Sequence, residues 1–232
     1  PVSNRMVELY LQNKGDDGGW ERQMNGISNN EKASLLFKDY SFKELQTDIR
    51  YRDILDNIIA LRGSQLFAKP EMNVGVVAFR DTIYAFLARN EFRNIHFESM
   101  LDTIEIISNT NIKPEVEKWN HPSVIPYYTI STPEVVNITN RGVEKFILKL
   151  RITNDSDVEG IVNLRLNVSN AWGPEYDNKT NRNILLAPHQ SKELVSVWND
   201  AVQAVNVNTM ISDNLPSFIH MPIQDIRKEI GG

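Results

Sequence analysis

The histidines are the side chains best suited to metal or acid–base chemistry here, because the chain has no cysteine. They stand at His96, His121, His189 and His220, and none belongs to the His-Glu-x-x-His helix of a self-contained zinc site. The lack of cysteine excludes disulfides, thiolate metal sites and cysteine nucleophiles. Gly-x-Ser-x-Gly, P-loop and dinucleotide glycine motifs are also absent. The sequence therefore predicts no catalytic residue and no metal ligand on this chain.

The carboxylates favour a structural interpretation. The 30 Asp and Glu residues are interspersed with Lys and Arg on predicted helix faces, a pattern typical of solvated ion pairs. No acid pair lies in a recognisable catalytic context, so a carboxylate-based enzyme is disfavoured. We predict that His121, within Asn120-His121-Pro122, and His96, just ahead of a helix, are structural residues of turns and helix starts.

The segment Trp172-Gly173-Pro174-Glu175-Tyr176 places two aromatic residues on a loop between predicted strands. Such a loop can bind a glycan or a peptide by stacking. The alternative is that Trp172 folds back and covers the end of the sandwich. Both interpretations of Trp172 and Tyr176 stay open at the level of sequence.

Asparagine is abundant, at 25 of 232 residues. Four Asn-x-Ser/Thr sequons begin at Asn137, Asn154, Asn167 and Asn178. Because such matches arise by chance in an asparagine-rich chain, they predict little about glycosylation.

Composition bounds the class of protein. Hydrophobic residues make up 41% and charged residues 24%, as in globular proteins, and the net charge is −5. This mild acidity argues against nucleic acid or an anionic membrane as a partner. No apolar run reaches the length of about 20 residues that a membrane helix needs, and the residues that follow Pro1 lack the charged and apolar regions of a signal peptide. A start without Met and an end at Gly231-Gly232 suggest a piece excised from a longer polypeptide.

The periodicity of apolar residues changes near Trp119, from helical spacing to alternation. We therefore predict an α+β protein of two domains. An all-α domain spans residues 1–122, an immunoglobulin-like antiparallel β-sandwich spans 123–222, and a C-terminal tail covers 223–232.

Local signals locate several helices. Capping boxes at Ser28-Asn29-Asn30-Glu31 and Ser41-Phe42-Lys43-Glu44 each predict a helix start. A buried stripe from Ile49 is expected to run to Gly63, and Pro70 is expected in the first turn of the next helix.

The stretch from Leu61 to Tyr128 resembles the region downstream of the zinc site in the aminopeptidase N family of gluzincin metallopeptidases. The order and spacing of its landmark residues carry the resemblance. These landmarks are Arg62 and Gly63 as a basic-Gly pair opening a helix, followed by Gly75, Phe79, Trp119 and Pro126. The resemblance implies a peptidase-like fold and favours a bacterial multidomain member.

Two departures bear on activity. The family's catalytic Tyr precedes the basic-Gly pair, and Ala60 stands at that position. The segment from Asn4 to Tyr10 resembles the helix that carries the third zinc ligand, with Arg5 at the ligand position. A guanidinium cannot bind zinc. If zinc is present in the full-length protein, the resemblance implies that its ligands lie upstream, and none is expected on this chain.

The sequence thus predicts a structural, cleft-wall part of a peptidase-like protein, with upstream peptidase-like domains as its partners. The alternative is an extracytoplasmic module that binds glycan or peptide through Trp172 and Tyr176. The sandwich and the resemblance favour a periplasmic or cell-surface location.

Overall fold

The computed structural model describes residues 2–11, 19–90, 96–140, 143–170 and 179–230. Within these ranges helices precede Tyr128 and strands follow it, which confirms the predicted α+β architecture. The helices are α1 (Val2–Leu11), α2 (Gly19–Asn25), α3 (Asn29–Leu36), α4 (Phe42–Thr47), α5 (Leu55–Val74), α6 (Val76–Arg89), α7 (Phe97–Ser108) and α8 (Lys113–Glu117), with 3₁₀ turns at Ile49–Ile54 and Lys118–Asn120. We call these elements the helical part.

Both predicted capping boxes form. The hydroxyls of Ser28 and Ser41 accept the backbone N–H groups of Glu31 and Glu44, and each glutamate accepts the N–H of its serine. These reciprocal bonds satisfy orphan donors at the helix starts, so local sequence alone specifies where α3 and α4 begin.

Helix α5 is the centre of the helical part and packs against α1, α3, α4, α6 and α7. The expected helix end at Gly63 and helix start at Pro70 are wrong, because α5 runs through both residues to Val74. Both are buried, and tertiary packing around α5 outweighs their local tendency to break a helix. The break comes at Gly75, whose φ of +88° L side chains rarely adopt. The buried apolar stripe predicted from Ile49 onward is also wrong at its first residue, because Ile49 lies in a 3₁₀ turn and is 80% exposed.

The strands form two sheets that enclose one apolar core. They are β1 (Tyr128–Ile130), β2 (Glu134–Asn140), β3 (Val143–Asn154), β4 (Gly160–Val168), β5 (Asn181–Leu186), β6 (Ser191–Trp198), β7 (Val202–Asn208), β8 (Phe218–Pro222) and β9 (Ile226–Ile230). In the first sheet β3 pairs with β6 on one edge and with β1 and β2 on the other, and β9 pairs with β2. The second sheet has the order β5-β4-β7-β8. This is the arrangement of an immunoglobulin-like sandwich.

Alternation along β3 places the apolar side chains inside the sandwich, as the sequence predicts. Phe146, Leu148, Leu150 and Ile152 are buried, and Lys149 and Arg151 between them are exposed. The segment expected as a tail contains β9, which pairs with β2 in parallel rather than antiparallel. The chain crosses from β8 in one sheet to β9 in the other, and that crossing gives β9 the same direction as β2.

The helical part and the sandwich meet at a junction formed by α3 and the connection between β7 and β8. The Ser34 hydroxyl donates to the Ser212 carbonyl and accepts the Ser212 N–H, both at 2.8 Å. The Glu31 carboxylate accepts the Ser217 N–H at 2.7 Å, and Lys38 pairs with Asp213 at 3.0 Å. Because three of these four bonds are buried, the junction is part of the folded core.

Among the described helices, none combines the length and the apolar character required to cross a lipid bilayer.

Candidate functional site

A cavity of about 480 Å³ lies where the helical part meets the sandwich. We call it the junction cavity. Helix α5 supplies Arg62 and Lys69, the segment around α8 supplies Glu115 and Trp119, and residues 121–126 and 158–161 form the remaining walls. Both parts of the fold are thus needed to build it.

Arg62 is the most unusual residue of the junction cavity. Its side chain projects from the middle of α5, and the residue is only 2% exposed. Nη1 donates to the Gln65 side-chain oxygen at 2.9 Å, Nη2 donates to the Ser123 hydroxyl at 3.3 Å, and Nε has no partner within the described ranges of the chain. Burial alone lowers the pKa of Arg62 to about 10. Among the described residues no carboxylate pairs with this guanidinium.

Aromatic rings hold the guanidinium in place. Its central carbon lies 3.9 Å from the Phe37 ring centroid and 5.7 Å from the Trp119 ring centroid. The Trp119 ring is fixed by an edge-on contact with Phe42 at 5.2 Å. Stacking on aromatic faces offsets part of the cost of burying a cation, but it supplies no counter-charge.

The other charges of the cavity compensate one another. Lys69 bridges Glu115 on α8, at 3.3 Å, and Glu159 before β4, at 2.7 Å. Lys118 also pairs with Glu115 at 3.2 Å. Burial acts to raise the pKa of Glu115, but Lys69 and Lys118 outweigh it and hold that pKa below its usual value. The three cations Arg62, Lys69 and Lys118 face two carboxylates, so one positive charge is left.

The remaining wall is apolar. It is formed by Leu66, Ile112, Trp119, Ile125, Pro126, Ile161 and Ile211. Behind this wall, in the sandwich core, the ring of Tyr128, only 2% exposed, ends in a hydroxyl without a partner among the described residues. That hydroxyl lies against Gly160, where an added Cβ would stand 1.8 Å from it. Only glycine leaves room for this close approach.

A second cavity, of about 450 Å³, lies between α5 and the outer face of the second sheet. We call it the asparagine groove, because seven asparagines line it: Asn30, Asn163, Asn167, Asn181, Asn183, Asn206 and Asn208. Six of them lie on β4, β5 and β7, where alternation sends their amides outward while apolar residues fill the sandwich, and Asn30 comes from α3. Asn163 donates to the side-chain oxygens of Asn181 and Asn183, both at 2.9 Å. The amides therefore largely satisfy one another.

The asparagine groove also contains Glu71, which is 92% buried. Burial raises its pKa, and a hydrogen bond from the Tyr10 hydroxyl at 3.1 Å and the charge of Arg80 oppose the rise only in part. Burial, together with the charge of Glu71, raises the pKa of Tyr10 in turn. Ala60, which the sequence resemblance aligns with a catalytic tyrosine, lines the same groove.

The histidines do not come together. His121 is exposed at the rim of the junction cavity and His96 precedes α7. His189 pairs with Asp157 at 2.8 Å, and His220 contacts the Asn206 side chain at 2.7 Å. Within the part of the chain that the structure describes, no group of three or more His, Asp or Glu residues could hold a metal ion.

The landmark residues occupy packing positions. Arg62 and Gly63 lie in the middle of α5 and do not open a helix, while Gly75 separates α5 from α6. Phe79 is fully buried, and its ring lies 5.9 Å from that of Phe67. Arg62, Trp119 and Pro126 all line the junction cavity. Arg5, which the sequence resemblance aligns with a zinc ligand, forms ion pairs with Glu8 and Asp56.

Other residues singled out by sequence have mixed outcomes. Trp172 and Tyr176, and the sequon at Asn178, lie outside the described residues, so the loop stays a prediction. Asn154 is fully buried and donates to the carbonyls of Val158 and Ala187 at 2.7 and 3.0 Å, which is a structural role.

The ion pairs of Lys69 were not predicted from the sequence, because Glu115 and Glu159 are distant from Lys69 along the chain. The repeated Asn-x-Asn spacing at 181/183 and 206/208 was the available signal for the asparagine groove.

Among the comparisons with known proteins, solved structures give weak similarity. No family model matches the chain, and no curated protein matches it. Among solved structures, the aminopeptidase A of Legionella pneumophila, in complex with aspartic acid, is similar with a TM-score of 0.30 and 14% sequence identity. The match covers 75% of this chain and 19% of that chain, so the chain spans about a fifth of that protein's length.

Proposed function

We propose that this chain is a non-catalytic C-terminal part of a peptidase-like multidomain protein of the aminopeptidase N kind. In this role the helical part walls one side of a cleft, and the sandwich braces that wall. The other wall, and any zinc ligands, belong to other parts of the polypeptide.

The observation that carries the proposal is the buried junction between helices and sandwich. A sandwich that supports the helical part must keep a fixed position relative to it. Hydrogen bonds between buried groups fix that position more strictly than apolar contact alone. The Ser34–Ser212 pair and the Glu31–Ser217 bond provide such constraints, and the Lys69–Glu159 ion pair adds another across the same boundary.

The landmark residues give further support. Gly63 allows α1 to lie close to α5, since an added Cβ would stand 2.5 Å from the Met6 side chain. Gly75 sets the break between α5 and α6, and Phe79 then enters the core. Residues that fix helix packing are the ones a shared scaffold would retain when catalytic groups are replaced, as Ala60 and Arg5 suggest.

The test is an assay of the 232-residue chain with zinc and aminoacyl chromogenic substrates. We expect no hydrolysis above the buffer rate and less than one zinc ion bound per chain. Turnover that follows the chain through size exclusion and is lost with a chelator would overturn the proposal. Replacing His96, His121, His189 and His220 together by Gln gives the matched control, because a zinc site on this chain would lose its metal.

A further inference from the structure

We infer that the junction cavity binds a ligand that carries a single carboxylate on an apolar body, with the carboxylate paired to Arg62. This inference goes beyond the proposed structural role and does not depend on it.

The first argument is the state of the guanidinium. A buried cation is costly unless it is paired and hydrogen-bonded. Arg62 has five N–H donors, of which two bond to neutral oxygens, on Gln65 and Ser123, and the Nε donor has no partner in the part of the chain that the structure describes. A carboxylate can accept two parallel bonds from one edge of a guanidinium, which would satisfy this donor and supply the missing charge.

The second argument is the charge balance of the cavity. Glu115 and Glu159 are already engaged by Lys69 and Lys118. Neither carboxylate offsets the effect of burial on Arg62, because a nearby anion would raise the pKa of the guanidinium and burial is the only cause acting on it. One uncompensated positive charge favours a monoanion over a phosphate ester or a dicarboxylate, because a second negative charge would face Glu115 and Glu159.

The third argument is the shape and surface of the cavity. Its volume of about 480 Å³ accommodates a small molecule or one or two residues of a peptide. Trp119, Ile125 and Ile161 offer apolar contact to the body of such a ligand. The C-terminal residue of a peptide and a free arylalkanoic acid both combine these features, and an experiment can distinguish them.

The experiment is a titration of the folded chain by calorimetry with two pairs of probes. The first pair is N-acetyl-Leu-Leu with a free carboxylate and its C-terminal amide. The second pair is 3-phenylpropanoate and its amide. We expect each carboxylate to bind at least about tenfold more tightly than its amide, because a buried charge pair is lost in the amide. If the dipeptide binds more tightly than the phenylpropanoate, a peptide C-terminus is the natural source; the reverse order indicates a free acid.

Variants locate the site. Arg62→Met is expected to weaken carboxylate binding at least about tenfold. Arg182→Met is the matched control, because Arg182 is a partly buried arginine of β5 whose Nε also lacks a partner among the described residues and whose pKa is also lowered by burial. It removes the same charge outside the junction cavity and should change the affinity less than twofold.

A measurement on the unmodified chain covers the case in which Arg62→Met does not fold. The Nε–H resonance of Arg62, followed by ¹⁵N NMR, should shift on addition of each carboxylate and stay unchanged with each amide. Equal binding of acid and amide, no binding up to 10-fold excess at millimolar concentration, or an unshifted Nε–H resonance would each overturn the inference.

Discussion

At the scale of residues, two buried glutamates show how environment decides the role of a carboxylate. Burial acts to raise the pKa of Glu31, but bonds from the Ser28 N–H, from Arg22 and from the Ser217 N–H outweigh it and leave the pKa lowered. Glu71 receives fewer donors, and burial leaves its pKa raised. One carboxylate is therefore stabilised as an anion by the fold, and the other is not.

The pair yields a pH-dependent prediction. Because the folded state lowers the pKa of Glu31, its contribution to the free energy of unfolding is complete above the unfolded pKa of about 4.3 and is lost as pH falls through the folded pKa. We expect Glu31→Gln to lower the free energy of unfolding at pH 7 by about 3 kcal/mol. The difference from the parent chain should shrink below about pH 4. Urea unfolding of the parent chain and the variant at pH 3.5, 5 and 7 measures the loss at pH 7 and its decrease at low pH.

Glu71→Gln is the matched control for Glu31→Gln. The raised pKa of Glu71 means that its ionised form destabilises the fold, and this cost grows as pH rises through the folded pKa. At pH 7 the control should be neutral or more stable than the parent chain. Equal losses for the two variants would contradict the assigned environments.

A second residue-scale prediction concerns Gly160. An added methyl group there would stand 1.8 Å from the Tyr128 hydroxyl and 2.7 Å from Pro126, so both rings would have to move. We expect Gly160→Ala to lower the free energy of unfolding by about 3 kcal/mol. Gly63→Ala is the comparison: its methyl group would stand 2.5 Å from the Met6 side chain, which is fully buried and would have to shift, but alanine gains about 1 kcal/mol of helix propensity, so we expect a smaller loss. A larger loss for Gly63→Ala than for Gly160→Ala, in urea unfolding, would refute the reasoning.

At the scale of elements, the attachment of α3 to the β7–β8 connection depends on the Ser34 hydroxyl. Its two bonds to Ser212 are buried, so removing it leaves a buried N–H and a buried carbonyl unsatisfied. Ser34→Ala should therefore lower the free energy of unfolding by about 2–3 kcal/mol. Thermal and urea unfolding provide the measurement.

Ser108→Ala is the matched control at this scale. Ser108 is also a buried helical serine, but its hydroxyl donates only to the Ile104 carbonyl of its own helix. Its removal should cost no more than about 1 kcal/mol. If both variants lose the same stability, the junction bonds do not hold α3 in place.

At the scale of the whole molecule, we expect the buried junction bonds to make the helical part and the sandwich unfold as a single cooperative unit. Trp119 reports on the helical part and Trp198 on the sandwich core. Two variants are compared: one keeps only Trp119 and the other keeps only Trp198, with every other tryptophan replaced by Phe. Both should show the same midpoint of urea unfolding by fluorescence. Two separate midpoints would contradict a rigid brace, and Ser34→Ala in each background should draw the midpoints apart.

The sequence by itself determined the features that depend on neighbours along the chain. The capping boxes at Ser28 and Ser41, the alternation of β3 and the lack of a His-Glu-x-x-His helix need only a few adjacent residues. Only the tertiary structure decided the path of α5 through Gly63 and Pro70, the pairing of β9 with β2, and the isolation of the Arg62 charge. Each of these depends on burial by distant segments, and the free energy of burial is set by which surfaces meet rather than by local spacing.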